Sequence, residues 1–121
     1  MATVLLVDDS PVVRRTLERR LTREGLTVVA DDTAAGAGSR DLEDVACAVI
    51  DIELPDGSGC ELAAALLRAQ PSLRVAFFTA GAADDVLARA KAHGPVFWKP
   101  ELEALVAWVK NAVAPQPPPT K

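Results

Sequence analysis

The stretch VACAVIDIELPDGSG, residues 45–59, joins a continuous apolar run to a tight turn and the start of a helix. An uninterrupted apolar run of this length is typical of a strand whose two faces are both buried, as in parallel sheets. The run ends in Asp51, and Pro55 and the glycines after it are turn residues. Ser58 and Glu61 match a capping box, which predicts a helix start. The stretch therefore predicts a strand–turn–helix unit with a carboxylate at the tip of the strand.

The same alternation of strand and helix continues on both sides of this unit. Apolar runs predict strands at 3–7, 26–30, 45–51, 73–80 and 95–99. Caps and apolar periodicity predict helices within 10–25, 33–44, 58–70, 83–94 and 100–114. Such alternation forms a parallel sheet with helices on both faces, so we predict a three-layer (βα)5 α/β domain. The second helix should be short, because Gly36 and Gly38 each cost about 1 kcal/mol relative to alanine.

Length and composition limit the classes of protein to which the chain can belong. Its 121 residues are half apolar and carry a net charge of −4, which predicts one domain over 1–114 and argues against direct nucleic-acid binding. Two cysteines and one histidine argue against a zinc site or a disulfide framework. Without an apolar run near the ~20 residues that span a bilayer, or a signal peptide, we expect a cytoplasmic protein without membrane insertion. The Pro-rich segment 115–121 predicts a disordered tail.

Polar side chains lie at the ends of four of the five predicted strands. Asp8 and Asp9 follow the first strand, Asp51 ends the third, and Thr79 and Lys99 lie at the ends of the fourth and fifth. Ligands of open parallel sheets bind beyond these carboxyl ends, so we expect the side chains to meet at one edge. Three neighbouring carboxylates repel one another, and Mg2+ would relieve that repulsion while leaving positions for water and phosphate oxygens. The pattern indicates a cradle for a phosphoryl group, with a carboxylate as candidate nucleophile.

Four segments at these strand ends resemble the receiver domain of two-component response regulators. They are LLVDDSPVVRR (5–15), VIDIELPDGSG (49–59), FFTA (77–80) and FWKP (97–100). The resemblance extends from residue 2 to about 113 and implies the flavodoxin-like fold, with strand order 2-1-3-4-5. It also implies a phosphorylation-controlled switch of protein–protein interactions, as in single-domain chemotaxis receivers and phosphorelays.

The resemblance assigns chemical roles to the acidic residues. Asp51 would be the phosphoacceptor, taking the phosphoryl group from a phosphohistidine on a sensor histidine kinase or a histidine phosphotransfer protein. Asp8 and Asp9 would hold Mg2+ together with Asp51, and the backbone carbonyl of Glu53 would supply a further oxygen.

The same resemblance assigns roles to the residues on the last two strands. Thr79 would be the switch hydroxyl that moves toward the phosphoryl group, and Lys99 would pair with a phosphoryl oxygen. The Lys99–Pro100 peptide bond is expected to be cis. Glu53 occupies a position that varies in the family. We predict that its side chain tunes the lifetime of the phosphorylated state, by pairing with Lys99 in the unphosphorylated protein or by hindering the attacking water.

Val96 departs from the family, which usually has Tyr or Phe at this position to relay phosphorylation to the outer surface. Trp98 has the same strand parity as Val96, and Trp108 lies off the centre of the last helix's apolar stripe. We hypothesise that the two tryptophans form a docking face for a downstream protein target or for a second copy in a homodimer. The alternative is that both cap the edge of the core.

These observations predict a signalling module rather than an enzyme, since no independent substrate turnover is expected. A receiver-like interaction module that works without phosphorylation, and a receiver cut from a larger regulator, are the alternatives. Haloacid-dehalogenase-type phosphatases also combine an Asp nucleophile with Thr, Lys and Mg2+. They need Asp-x-Asp, whereas this chain places Ser10 at the second acidic position.

Overall fold

The computed structural model describes residues 2–114, so the predicted tail at 115–121 lies outside the described residues. The strands are β1 (Thr3–Val7), β2 (Thr27–Asp31), β3 (Val45–Ile50), β4 (Glu53–Leu54), β5 (Gly57–Ser58), β6 (Arg74–Thr79) and β7 (Val96–Trp98). The helices are α1 (Pro11–Arg23), α2 (Ala34–Gly38), α3 (Gly59–Ala69), α4 (Asp84–Lys91) and α5 (Leu102–Val113).

Five strands form one parallel sheet in the order β2-β1-β3-β6-β7. Because β6 and β7 are the fourth and fifth strands of this sheet along the chain, the order confirms the predicted 2-1-3-4-5 flavodoxin-like topology. Val7 pairs with Ile50, and the N–H of Asp51 donates to the carbonyl of Val7 at 2.8 Å. The first and third strands therefore end at the same level, side by side.

The core is divided between the two faces of the sheet. Leu5, Val7 and Phe77 pack against α2, α3 and α4, whereas their neighbours Leu6 and Phe78 pack against α1 and α5. This alternation follows from the two-residue period of a strand and explains why the central strands are apolar throughout. Each fully buried large side chain contributes roughly 1.5–3 kcal/mol relative to exposure.

Local signals explain where the helices begin. The hydroxyl of Ser10 accepts a hydrogen bond from the N–H of Val13 at 3.3 Å, with Pro11 in the first turn of α1. Ser58 caps α3 by accepting from the N–H groups of Cys60 and Glu61 at 3.1 and 3.4 Å. The prediction that the second helix is short is confirmed, since α2 has only five residues.

The antiparallel pair β4–β5 was not predicted. Glu53 pairs with Ser58 and Leu54 with Gly57, so the segment after the third strand is a small hairpin rather than a simple turn. In the part of the chain that the structure describes, no helix is both long and apolar enough to cross a bilayer.

Candidate functional site

Three carboxylates meet where the first and third strands end. Asp8, Asp9 and Asp51 each bring a carboxylate oxygen within 4.8 Å of the others. Asp8 and Asp51 are buried, and Asp9 is exposed. Burial raises the pKa of Asp8 above its ordinary value; the hydrogen bond from the N–H of Ser10 opposes this rise, and the charge of Asp51 adds to it. The surroundings of Asp8 therefore disfavour its ionised form.

Lys99 is the cation of the site. Its Nζ lies 3.0 Å from Oδ2 of Asp51 and 3.1 Å from Oδ2 of Asp8. Burial alone would lower the pKa of Lys99, but hydrogen bonds and charges from the two carboxylates outweigh it, so the pKa is raised. The N–H of Lys99 also donates to the carbonyl of Thr79 at 2.9 Å, which fixes the lysine at the end of the sheet. One ammonium thus links three strand ends.

The Lys99–Pro100 bond is trans, and the prediction of a cis bond is wrong. The turn after β7 closes without the cis isomer. The N–H of Glu101 donates to the carbonyl of Trp98 at 2.7 Å, and the N–H of Trp98 donates to Oε1 of Glu101 at 2.8 Å. These two hydrogen bonds close the turn in the trans form, which avoids the cost of about 0.5–1 kcal/mol that an X–Pro bond incurs in the cis form.

Thr79 lies at the predicted edge and is almost fully buried. Its hydroxyl donates to the carbonyl of Gly81 at 3.2 Å and accepts from the N–H of Gly81 at 3.3 Å. The hydroxyl is therefore engaged with the loop after β6. To contact a phosphoryl group on Asp51 it would have to exchange these bonds.

Glu53 lies in β4 with an exposed side chain, and its N–H donates to Oδ1 of Asp51 at 3.4 Å. The suggested pair with Lys99 is wrong for this structure. Lys99 forms its ion pairs with Asp8 and Asp51, and the ion pairs found within residues 2–114 do not include Glu53. A physical reason is that Asp8 and Asp51 are both buried and already hold the Nζ of Lys99 between them, whereas the Glu53 side chain is exposed to solvent.

Asp51 and Thr79 line an open cleft of about 320 Å³ together with Asp9 and Glu53. Leu54, Pro55, Ala80 and Gly81 complete its walls. A larger groove of about 460 Å³ lies between α2 and the far end of α3, at the opposite edge of the sheet. Of these two hollows, the smaller is lined by two of the three clustered carboxylates, Asp9 and Asp51, so we take it as the candidate site.

Val96 and the two tryptophans lie outside this cleft. Val96 is half-buried against the core on the α2, α3 and α4 side, and Trp108 is half-buried against the core on the α1 and α5 side. Trp98 pairs in register with Thr79 and is 42% exposed. A Cβ on Gly81 would lie 3.9 Å from Cζ3 of Trp98, so the indole lies over the loop that holds the Thr79 hydroxyl. Trp108 thus packs against the core on the α1 and α5 side, whereas Trp98 is exposed at the end of β7 and belongs to neither part of the core.

Several residues that shape the site were not identified from the sequence. The N–H of Ser10 donates to Oδ1 of Asp8 at 2.8 Å, and Nη1 of Arg14 donates to the Asp8 carbonyl at 2.7 Å. A Cβ on Gly59 would overlap the carbonyl oxygen of Asp51, so only glycine allows α3 to start this close to β3. The one available signal was the spacing of Arg14, which places it in the first turns of the helix that follows the acid pair.

The donor set fits a hard divalent cation. The oxygens of Asp8, Asp9 and Asp51 converge, and Lys99 alone supplies fewer positive charges than the three carboxylates carry. Mg2+ favours carboxylate oxygens and retains open positions, which an edge with one exposed aspartate allows. These three side chains are therefore the residues that would hold the ion.

Comparison with known proteins gives one family. Its sequence model, described as response regulator receiver domain, matches residues 4–106. The chain is 42% identical over 74 residues to protein-glutamate methylesterase/protein-glutamine glutaminase 2 of Caulobacter vibrioides, an alignment covering 60% of this chain and 21% of that protein. The chain thus spans about a fifth of the length of this relative.

Solved structures show the same fold. The non-phosphorylated receiver domain of HemR from Leptospira biflexa has a TM-score of 0.84 at 24% identity, covering 99% of this chain and 100% of that chain. The response regulator protein TrrA from Thermotoga maritima, in complex with Mg(2+)-BeF, has a TM-score of 0.83 at 23% identity, covering 93% and 100%.

Proposed function

The chain belongs to the response regulator receiver domain family, and we propose that it is the phosphoacceptor receiver of a two-component phosphorelay. The observation that carries this proposal is the convergence of Asp8, Asp9 and Asp51 with Lys99 at one edge of the sheet. In this proposal Asp51 takes a phosphoryl group from a phosphohistidine of a sensor histidine kinase or a histidine phosphotransfer protein.

The transfer is a displacement at phosphorus. A carboxylate oxygen of Asp51 forms a bond to phosphorus while the bond from phosphorus to the imidazole nitrogen breaks, and the donor histidine leaves with the electron pair. Lys99, now 3.0 Å from Oδ2 of Asp51, is placed to neutralise a phosphoryl oxygen. The N–H of Ser10 holds the carboxylate of Asp8, and the guanidinium of Arg14 holds its backbone carbonyl.

Mg2+ is the proposed cofactor, held by Asp8, Asp9 and Asp51 with the backbone carbonyl of Glu53. When bound, it would neutralise charge on the phosphoryl oxygens. The converging oxygens support this assignment, as does the Mg(2+)-BeF complex of the relative TrrA.

The output is proposed to be a change in protein contacts. Thr79 would leave the backbone of Gly81 for the phosphoryl group, and the loop after β6 would move with it. Trp98, exposed beside that loop, is the proposed contact for a downstream protein target or a second copy of the chain. We also propose a cytoplasmic location. We propose no independent substrate turnover, because the acceptor is a residue of the protein itself.

A second candidate is an interaction module that works without phosphorylation. Val96 favours it, because an aliphatic side chain there removes the usual aromatic relay. One experiment separates the two candidates: incubation with a small phosphodonor and Mg2+, followed by intact-mass measurement, with Asp51→Asn as control. The phosphorelay proposal predicts a gain of one phosphoryl group in the wild type and none in the variant or after chelation of Mg2+. An unchanged wild-type mass would support the second candidate.

A further inference from the structure

Two of the first three N–H groups of α2 find their acceptor in a distant part of the chain. The N–H of Ala34 donates to Oδ1 of Asp56 at 2.8 Å, and the N–H of Ala35 donates to Oδ2 at 2.9 Å. The N–H of Gly36 donates to the hydroxyl of Thr33 at 3.0 Å, and that of Ala37 to its carbonyl at 3.2 Å. The N–H groups of Ala34, Ala35 and Gly36, which have no partner within the helix, are therefore all satisfied, two of them by Asp56, and the bond of Ala37 is the first within the helix.

The helix needs this support. A helix of five residues, two of them glycines, is far too short to persist by its own propensity. Its first turn contains no acidic residue that could interact with the positive end of the helix dipole. Asp56 supplies that charge. The bonds from the N–H groups of Ala34 and Ala35 hold the pKa of Asp56 below its ordinary value, so it is ionised at neutral pH.

Asp56 also lies at the tip of the loop that carries the acceptor site. It sits between β4 and β5, in the turn that joins Leu54 to Gly57. The base of this loop is closed by the N–H of Gly59, which donates to the carbonyl of Ile52 at 2.7 Å. We name residues 51–59 the acceptor loop. It is fixed at its base by backbone contacts and at its tip by Asp56.

We propose that Asp56 is a positioning residue that anchors the acceptor loop to the start of α2, so that the loop and this helix become ordered together. Glu53 lies in the same loop, and its N–H contacts Oδ1 of Asp51. Holding the tip therefore restricts the backbone on which the proposed Mg2+ ligand of residue 53 depends. Coupling of this kind is reciprocal: if α2 orders the loop, a ligand that orders the loop must also order α2.

The anchor is tested in the metal-free protein, where the outcome does not depend on the proposed function. Amide hydrogen exchange is measured in the wild type, Asp56→Ala, Asp56→Asn and Asp41→Asn. Asp41 is a matched control, since it is an exposed aspartate that accepts a backbone bond, from Glu43 at 2.9 Å, outside the acceptor loop. We expect Asp56→Ala to speed exchange at Ala34 and Ala35 by roughly 2- to 30-fold, the range for loss of a helix cap.

The amides of residues 53, 54 and 56–58 are the second readout, because a contact that stabilised α2 alone would leave them unchanged. We expect them to exchange faster in Asp56→Ala than in the wild type. The rates in Asp56→Asn should lie between those of the wild type and Asp56→Ala, because asparagine retains one acceptor oxygen. Unchanged exchange in either segment, or equal effects of Asp41→Asn, would overturn the proposal.

The coupling to the site rests on the proposed function and has its own measurement. Mg2+ alone is added to the wild type, and slower exchange is expected at Ala34 and Ala35 as well as in the acceptor loop. In Asp56→Ala the loop should still respond, whereas the two α2 amides should not. A response of α2 that survives in Asp56→Ala would overturn the coupling. Absence of any Mg2+ effect in the wild type would count against the proposed function and the coupling, while the metal-free exchange would still decide the anchor.

Discussion

Lys99 and Asp51 form an ion pair of 3.0 Å across two strand ends, and the same ammonium reaches Asp8 at 3.1 Å. The three residues come from the first, third and last strands of the sheet and are distant in sequence. Their meeting depends on the strand order, which places β1, β3 and β6 side by side and β7 next to β6. Lys99 is therefore the counterion of the two carboxylates in the metal-free protein. Mg2+ would share this role when bound.

Replacing Lys99 with methionine should lower the stability of the metal-free protein and increase its affinity for Mg2+. Loss of the ammonium leaves two buried carboxylates without their cation, and because the lysine side chain is 22% exposed we expect a cost of about 1–3 kcal/mol. The same loss removes a positive charge that repels Mg2+. Denaturant unfolding with and without Mg2+ measures both effects, with Lys110→Met, which breaks the surface pair with Glu24, as control. Mg2+ affinity that stayed the same or fell in Lys99→Met would contradict this account.

Gly59→Ala and Gly94→Ala should both destabilise the fold, but only the first should disturb the site. A Cβ on Gly59 would overlap the carbonyl oxygen of Asp51, and a Cβ on Gly94 would overlap that of Val75. Each overlap with backbone is expected to cost about 1–3 kcal/mol or more. Because Gly59 closes the base of the acceptor loop, Mg2+ affinity measured by calorimetry should fall in Gly59→Ala alone. Equal losses of affinity in the two variants would show that the effect is one of general stability.

Glu53→Ala should shorten the life of the phosphorylated state. The exposed carboxylate lines the cleft beside Asp51, where we predict that it hinders the attacking water. A change of barrier by about 1 kcal/mol corresponds to a severalfold change in rate. The decay of the phosphorylated mass measures this, and Glu61→Ala, an exposed acid in the first turn of α3, is the control. An unchanged half-life in Glu53→Ala would refute the role of this side chain.

Trp98 should report phosphorylation by its fluorescence, because it lies over Gly81 and in register with Thr79. The response should persist in Trp108→Phe and disappear in Trp98→Phe. Trp98→Ala should also weaken any self-association seen by sedimentation, provided that circular dichroism shows an intact fold. A full fluorescence response in Trp98→Phe would assign the signal to Trp108 and would contradict the proposed output surface.

Acid should remove an ion-pair network between α1 and α5. Glu24 accepts from Lys110 at 2.7 Å and from Arg20 at 2.9 Å, and these contacts, in that order, hold its pKa below the ordinary value of 4.5. A lowered pKa in the folded state adds stability above pH 4.5, and this is lost as the pH falls through the lowered pKa. The difference in unfolding free energy between the wild type and Glu24→Gln should therefore shrink toward zero on acidification. A difference that stayed constant from neutral pH to pH 3 would exclude this network as its source.

Strong local signals made most of the fold predictable. The apolar run before Asp51 predicts a strand buried on both faces, and Ser10 with Pro11 predicts the start of α1, because each signal acts on its own neighbours. The pair β4–β5 has two residues in each strand, too few for any periodicity to be detected. It depends instead on the closure of the loop by Gly59, a contact that only the folded chain shows.

The residues of the site were predictable from the sequence, but the contacts between them were not. The strand-end rule brings Asp8, Asp51 and Lys99 to one edge without specifying which carboxylates the lysine contacts. That choice depends on which carboxylates lie buried beside the Nζ in the folded chain, and the local sequence does not encode this. The trans bond before Pro100 likewise depends on hydrogen bonds that Glu101 makes in the folded turn. The anchoring contact of Asp56 joins residues more than 20 positions apart in sequence.

The proposed transfer of a phosphoryl group to Asp51 is tested most directly by locating that group in the protein. The protein is incubated with a phosphodonor and Mg2+ and then reduced with borohydride, which converts an aspartyl phosphate to homoserine, and its peptides are sequenced by mass spectrometry. Phosphorylation of Asp51 should give homoserine at position 51 in the wild type and none anywhere in Asp51→Asn. Reduction at another position in the wild type, or unmodified Asp51 in protein whose mass shows a phosphoryl group, would contradict it.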